Sequence, residues 1–252
     1  MTRRMGVCVV VALLCLATVR PALAGRSEGA ERLADAAKAI DIMQESDETA
    51  IPDDILAKCR AVAIFPDMKK IGWGIGAVQG YGVVVAKDAE GKWGAPAFFR
   101  IRALNTGFQI GFQSMDTVIV IMDEKGLKSF MSGDFGVGVD ASVAAGQSRK
   151  RREAATTADL EANLLSYTRV KKGLYAGVAV EGSKIAYLAE ETESFYGQKL
   201  KASEVLVDKK VPVPDSAKAL IEALVKAGKP PAAAPAASAP AAEKPADKKE
   251  GK

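Results

Sequence analysis

The chain has no histidine and only three cysteines among its 252 residues. The first absence removes Ser-His and Cys-His nucleophile pairs, imidazole-ligated zinc and the commonest general base near neutral pH. The second leaves too few thiolates for a structural zinc site. Neither G-x-S-x-G nor G-x-x-x-x-G-K-[ST] occurs, so a nucleophile elbow and a P-loop are missing as well. No long hydrophobic run is present apart from Val7 to Val19, which is too short to span a bilayer comfortably. Most hydrolase readings fall with these absences, and nothing in the sequence asks for a cofactor or a metal.

That short run is the core of an export signal. Arg3 and Arg4 precede it and Ala22-Leu23-Ala24 supplies a small-x-small cleavage pattern, so the expectation is a signal peptide over residues 1–24, cut after Ala24. A lipoprotein signal acylated at Cys15 is the rival, but Ala12-Leu13-Leu14 lacks the small residue usually found just before such a cysteine. Cleavage removes Cys8 and Cys15, leaving Cys59 alone and no internal disulfide; a periplasmic or secreted location follows. From Gly228 the composition turns to Ala, Pro and Lys, with prolines at 230, 231, 235, 240 and 245, which predicts a disordered tail over 228–252. The remaining 25–227 reads as a single domain. The whole chain carries +4, but the signal and the tail take all of that excess, leaving the domain at about −1. A domain devoted to nucleic acid would show a strongly basic face, so nucleic acid is excluded as a partner.

Within the domain, Leu33, Ala36, Ala37, Ile40 and Met43 recur at helical spacing, predicting an amphipathic helix from Arg32 to Met43. Pro52-Asp53-Asp54 opens a second helix reaching Arg60, and the strand Ala61 to Phe65 follows. The centre alternates apolar residues with glycine over Gly72–Gly82 and Gly107–Phe112, and glycine resumes from Gly133 to Gly138. Glycine at period two allows a strong bend or the close approach of another backbone. Further strands are expected at Val83–Ala86, Gly94–Ala103, Thr117–Met122 and Val137–Ala144, with a turn at Lys87–Lys92. Short helices are expected at Glu124–Met131, Thr192–Tyr196 and Asp215–Ala227, the last capped by Asp215 and stopped by Gly228. The class is α+β: a curved, glycine-rich antiparallel β-sheet or barrel-like core, with short helices at both ends and one side.

Two blocks carry a resemblance. Gly173-Leu174-Tyr175-Ala176-Gly177-Val178-Ala179-Val180-Glu181-Gly182-Ser183, followed by Phe195-Tyr196-Gly197, is similar to the signature of the SYLF domain. Ala50 to Ile64, a Pro-started helix running into an apolar strand, resembles the opening of the same family, and the likeness extends over roughly Glu31 to Leu206. The resemblance implies a non-catalytic lipid-binding module, also described as an actin-binding domain in some yeast proteins. In eukaryotic members a lipid-binding amphipathic helix stands at the N-terminal end of the domain, where this chain has Arg32–Met43. Its alanine-rich apolar face suits core packing better than a bilayer, but a membrane role would fall on Leu33 and Ile40. Actin bundling does not suit an exported bacterial-type chain.

Basic clusters are the other candidates: Lys69-Lys70, Arg149-Lys150-Arg151-Arg152 and Lys171-Lys172. Positive charge concentrated on a nearly neutral domain suits an anionic phospholipid surface, each basic residue near it contributing about 1 kcal/mol; ordinary solvated loops are the plain alternative. Carboxylates offer little. Asp134 and Asp140 would stand too far apart along a strand for a glycosidase pair, and Glu190, Glu191 and Glu193 read as a solvated helix start. The expected function is binding of anionic phospholipid at the cell envelope. The alternative is an assembly protein that docks another envelope protein, with the tail as tether to a protein or polymer.

Overall fold

Four stretches, Ala61–Phe65, Val83–Ala86, Ala97–Phe99 and Val118–Ile121, are apolar without alternation, and all of their side chains are buried. A strand that reads this way is covered on both faces. In the computed structural model, which describes residues 25–132, 135–136, 143–145, 163–172 and 183–229, that is what these stretches do. Residues 1–24, Asp134, residues 137–142 with Asp140, Arg149–Arg152, the signature 173–182 and the tail from 230 lie outside the described residues.

The described strands are β1 (Ala61–Ala86), β2 (Ala97–Ile121), β3 (Phe135–Gly136), β4 (Val143–Ala145), β5 (Leu164–Lys172) and β6 (Lys184–Tyr187). They form one sheet in which β2 is central. β1 pairs with β2 along nearly its whole length, while β6 takes Phe99–Arg102 and β5 takes Ser114–Ile121 on the opposite edge. All pairs are antiparallel except β4 with β5, and among the described residues the sheet does not close into a barrel.

Ala61–Phe65 and Val83–Ala86, expected as separate strands, are joined through Pro66 and the glycine run into one. β1 and β2 are continuous arms of one long ribbon, with register shifts at Phe65/Met68 and Trp73/Ile75 that absorb the irregular residues as bulges. The ribbon is folded back on itself. Lys87 N donates to Arg60 O at 2.9 Å, and Gly82 lies against the Ile64 carbonyl, so the two ends of β1 run side by side. The bend between them falls in the glycine-dotted segment, as the period-two glycines predict.

Helices cover both faces rather than one side. α1 (25–44), α2 (Asp53–Lys58), α4 (Ala189–Tyr196) and α6 (Lys218–Ala227) pack with Val62, Ile64, Val85, Phe98 and Val118. α3 (Glu124–Met131) and α5 (Ala202–Leu206) pack on the other face with Phe65, Phe99, Ile101 and Ile119. The five-residue α5 escaped the sequence reading because it is too short to show a period. Asp215 does not cap α6; it lies in a 3-10 turn, Asp215–Ala217, and pairs with Lys218.

The Phe195-Tyr196-Gly197 motif fastens α4. Phe195 meets Phe98 edge-on with ring centres 5.0 Å apart, and the Tyr196 hydroxyl donates to Pro96 O at 2.7 Å. Gly197 ends the helix at φ 74°, a left-handed conformation that glycine adopts without the Cβ penalty. This part of the signature is explained by packing and capping alone.

Candidate functional site

Two bulges converge on one acid. On β1, Pro66 and Asp67 together oppose Asp116 of β2; on β5, Lys171 is the extra residue between Val170 and Lys172. A bulge re-aims side chains, and here both turn polar groups onto Asp116, whose side chain is 1% exposed. Its carboxylate accepts from Arg169 Nη2 at 2.5 Å, Lys171 Nζ at 2.8 Å and the Asp67 backbone N–H at 2.9 Å. Asp67 sits at φ 51° and accepts in turn from Lys69 and the Ser114 hydroxyl, with Lys171 Nζ 3.8 Å away. Three cations thus face two carboxylates.

Beyond this network toward the bend, the same face becomes apolar. Ile71 and Phe112 stand directly opposite each other on β1 and β2, at 59% and 53% exposure. Lys69 Nζ lies 5.7 Å from the Phe112 ring centre, a cation–π contact. A groove of about 550 Å³ separates this part of β1 from α1, and Asp67, Lys69 and Ile71 line it on the β1 side. Glu28, Glu31 and Asp35 form its acidic wall, and Tyr81 lies across from them. Arg32 bridges the two, with its guanidinium 5.0 Å over the Tyr81 ring and its Nε 2.8 Å from Glu191.

The structure therefore brings together Lys69 and Lys171, which lie about a hundred residues apart in the chain, while Lys172 pairs through its backbone with Ser114. Lys70 is not with them: it faces inward, 8% exposed, and burial pulls its pKa below the usual lysine range. Leu33 and Ile40 are 0% and 1% exposed, packed in the core, so in this fold neither offers surface to a bilayer. Glu191 is not a solvated helix start either, since it is partly buried against Arg32. The sequence reading missed Asp67, Asp116, Arg169, Ile71 and Phe112. The only signal was Asp116 standing as a lone charge at the head of the apolar run Val118–Ile121, an unusual place for an unpaired acid.

Two carboxyls titrate in opposite directions. Burial pushes Asp67 up, but hydrogen bonds from Lys69 and Ser114 and the charges of Lys69 and Lys171 outweigh it and hold the group below the ordinary aspartate value. Its contribution to stability is therefore present above the unfolded pKa and lost as pH falls through the depressed folded one. For Glu191, burial dominates over the opposing pull of Arg32 and raises the pKa, so its contribution is present at low pH and fades as pH rises through the elevated folded value. Carboxyl-carbon NMR titration is expected to find Asp67 titrating below the ordinary aspartate value and Glu191 above the ordinary glutamate value.

A bulged sheet face carrying an ion network, an exposed apolar pair and an open groove has the anatomy of a binding module. Residues 102–227 match the family described as Ysc84, Las17-binding protein actin regulator. The SH3 domain-containing YSC84-like protein 1 of Homo sapiens is 32% identical over 199 residues, 75% of this chain and 57% of that protein. The LAS seventeen-binding protein 3 of Saccharomyces cerevisiae is 32% identical over 170 residues, 66% of this chain and 37% of that protein. The chain belongs to the Ysc84 family, whose domain is the SYLF domain. It spans a little over half of the human relative and just over a third of the yeast one. The family's description is that of a binding protein, and Las17 is the partner named for the yeast relative.

Proposed function

We propose that this protein binds anionic phospholipid without catalysis, as an exported component of a bacterial envelope. One observation carries the reading: Lys69 and Lys171, from clusters remote in sequence, share a sheet face with the exposed Ile71 and Phe112. Cationic groups beside an apolar tip match the two layers of a lipid interface, anionic head groups above acyl chains. The chemistry needs no titrating nucleophile and no metal, in keeping with a chain that lacks histidine. Arg149–Arg152 supplies further positive charge in this reading, and the export pattern at Ala22-Leu23-Ala24 puts the protein where envelope lipid is met.

The test is co-sedimentation of the chain from residue 25 onward with neutral and with anionic liposomes. Binding to the anionic set alone, weakened by high salt, is the expected result. No binding to either set overturns the reading.

A second reading rests on the groove. Its acidic wall at Glu28, Glu31 and Asp35, with Tyr81 across from it, fits a basic segment of a partner protein. In that case the tail acts as a tether, and deleting 228–252 abolishes envelope association while liposome binding is unchanged.

A further inference from the structure

We infer that the bend of the β1–β2 ribbon, through Ile71 and Phe112, is the part of the domain that enters the lipid interface, in place of the N-terminal helix. The inference rests on the phospholipid reading and adds where the membrane is touched. α1 has little apolar surface to offer, because Leu33, Ala36, Ala37, Ile40 and Met43 are spent on the core and Ile42 alone of its large hydrophobic residues is exposed, at 38%. Its outward face toward the groove carries Glu28, Glu31 and Asp35, which an anionic surface repels.

The bend has the opposite character. Ile71 and Phe112 are the most exposed large hydrophobic residues among the described ones, and they form one patch because they are direct cross-strand partners. The other exposed aliphatics lie elsewhere, on α1, on α6 and in the connection between α5 and α6. The ribbon around the patch is uncharged on both arms: no Asp, Glu, Lys or Arg occurs over 71–86 of β1 or 103–115 of β2. An element that penetrates a head-group layer is penalised for each charge it carries inward, so a charge-free bend bounded by Lys69 is suited to the task. Lys69 then sits at head-group level, its ammonium over the Phe112 ring. Lys69, Arg169 and Lys171 outnumber Asp67 and Asp116, so the site keeps a net positive charge that attracts an anionic surface, and the apolar contact supplies the residence.

Two measurements test this. The double variant Ile71→Ser/Phe112→Ser is expected to lose on the order of tenfold or more of its partitioning onto anionic vesicles. Because both side chains point outward, the circular dichroism and melting transition should be unchanged. Independently, a Phe112→Trp variant is titrated with anionic vesicles whose phospholipids are brominated near the top of the acyl chain; quenching of the added indole, beyond that of the parent's own tryptophans, is expected. If the parent binds and the serine variant binds equally, or the added indole is not quenched, the bend is not the contact and only this inference falls. If the parent does not bind anionic vesicles at all, the phospholipid reading falls with it. A serine variant that fails to fold leaves the quenching measurement to decide.

Discussion

Asp116→Ala is expected to destabilise the fold by about 3 kcal/mol, the largest loss available from a single polar side chain here. The reasoning begins with burial. Asp116 is 1% exposed and is the shared acceptor for Arg169, Lys171 and the Asp67 backbone N–H. Removing it strands the Asp67 N–H in a bulge already held at a positive φ, and leaves two cations, 22% and 33% exposed, with one fewer counter-charge. Breaking a fully buried pair costs about 3–5 kcal/mol, and partial solvation of the two cations places this case at the lower end. Asp116→Asn keeps an acceptor oxygen and should cost less than half as much. Arg169→Met in the Asp116→Ala background should recover part of the loss, since one unpaired charge disappears. Glu124→Ala, at the exposed pair with Arg60, is the control and should change stability by no more than about 0.5 kcal/mol. Urea unfolding midpoints separate these outcomes; a loss under about 1 kcal/mol for Asp116→Ala would show that the network is not a structural clasp.

The contrast between these two pairs shows what a sequence can and cannot reveal. Burial of the helix face Leu33, Ala36, Ala37, Ile40 and Met43 was legible, because apolar periodicity is a local property and all five lie in the core. The helix Glu124–Met131 was legible to the residue, because Asp123 marks its start and its side chain accepts from Gly126 N. Period-two glycine announced a bend, and the ribbon bends there. Strand continuity was not legible. Pro66-Asp67 looks like a break in isolation and becomes a bulge only because Asp116 stands opposite to receive it. The site suffered more, since Lys69 and Lys70 are adjacent in sequence yet point to opposite faces, one exposed and one buried. A run of like charges on a strand is split by the pleat, and nothing in the run itself says which member faces out. Equally, Ile71 and Phe112 looked like ordinary strand residues, because their exposure depends on where helices stop covering the ribbon.

Gly82→Ala tests the fold-back directly, and a loss of about 3 kcal/mol is expected, with little or no folded protein for Gly82→Val. An ideal Cβ on Gly82 would stand 2.1 Å from the Ile64 carbonyl oxygen and 2.6 Å from Phe65 Cδ1. The first of these is backbone in a continuous strand, buried on both sides, and cannot rotate away as a flexible side chain would. Relief requires the two ends of β1 to separate, which opens the interior where Phe65, Val84 and Phe99 meet. Gly80 is a milder case: its Cβ would stand 2.4 Å from Met68 Cγ, and a methionine can change rotamer, so Gly80→Ala should cost about 1 kcal/mol. Gly228→Ala, with no neighbour closer than 3.5 Å and an ordinary negative φ, should be neutral within about 0.5 kcal/mol. The expected order in thermal unfolding is therefore Gly82 far worse than Gly80, and Gly80 worse than Gly228. Equal effects at 82 and 228 would mean that the ribbon's ends are not in contact. The same order bears on function, because the fold-back is what places Ile71 and Phe112 at the turn of the ribbon: a Gly82→Ala protein that still folds should bind anionic vesicles less well, although position 82 is buried and far from any lipid.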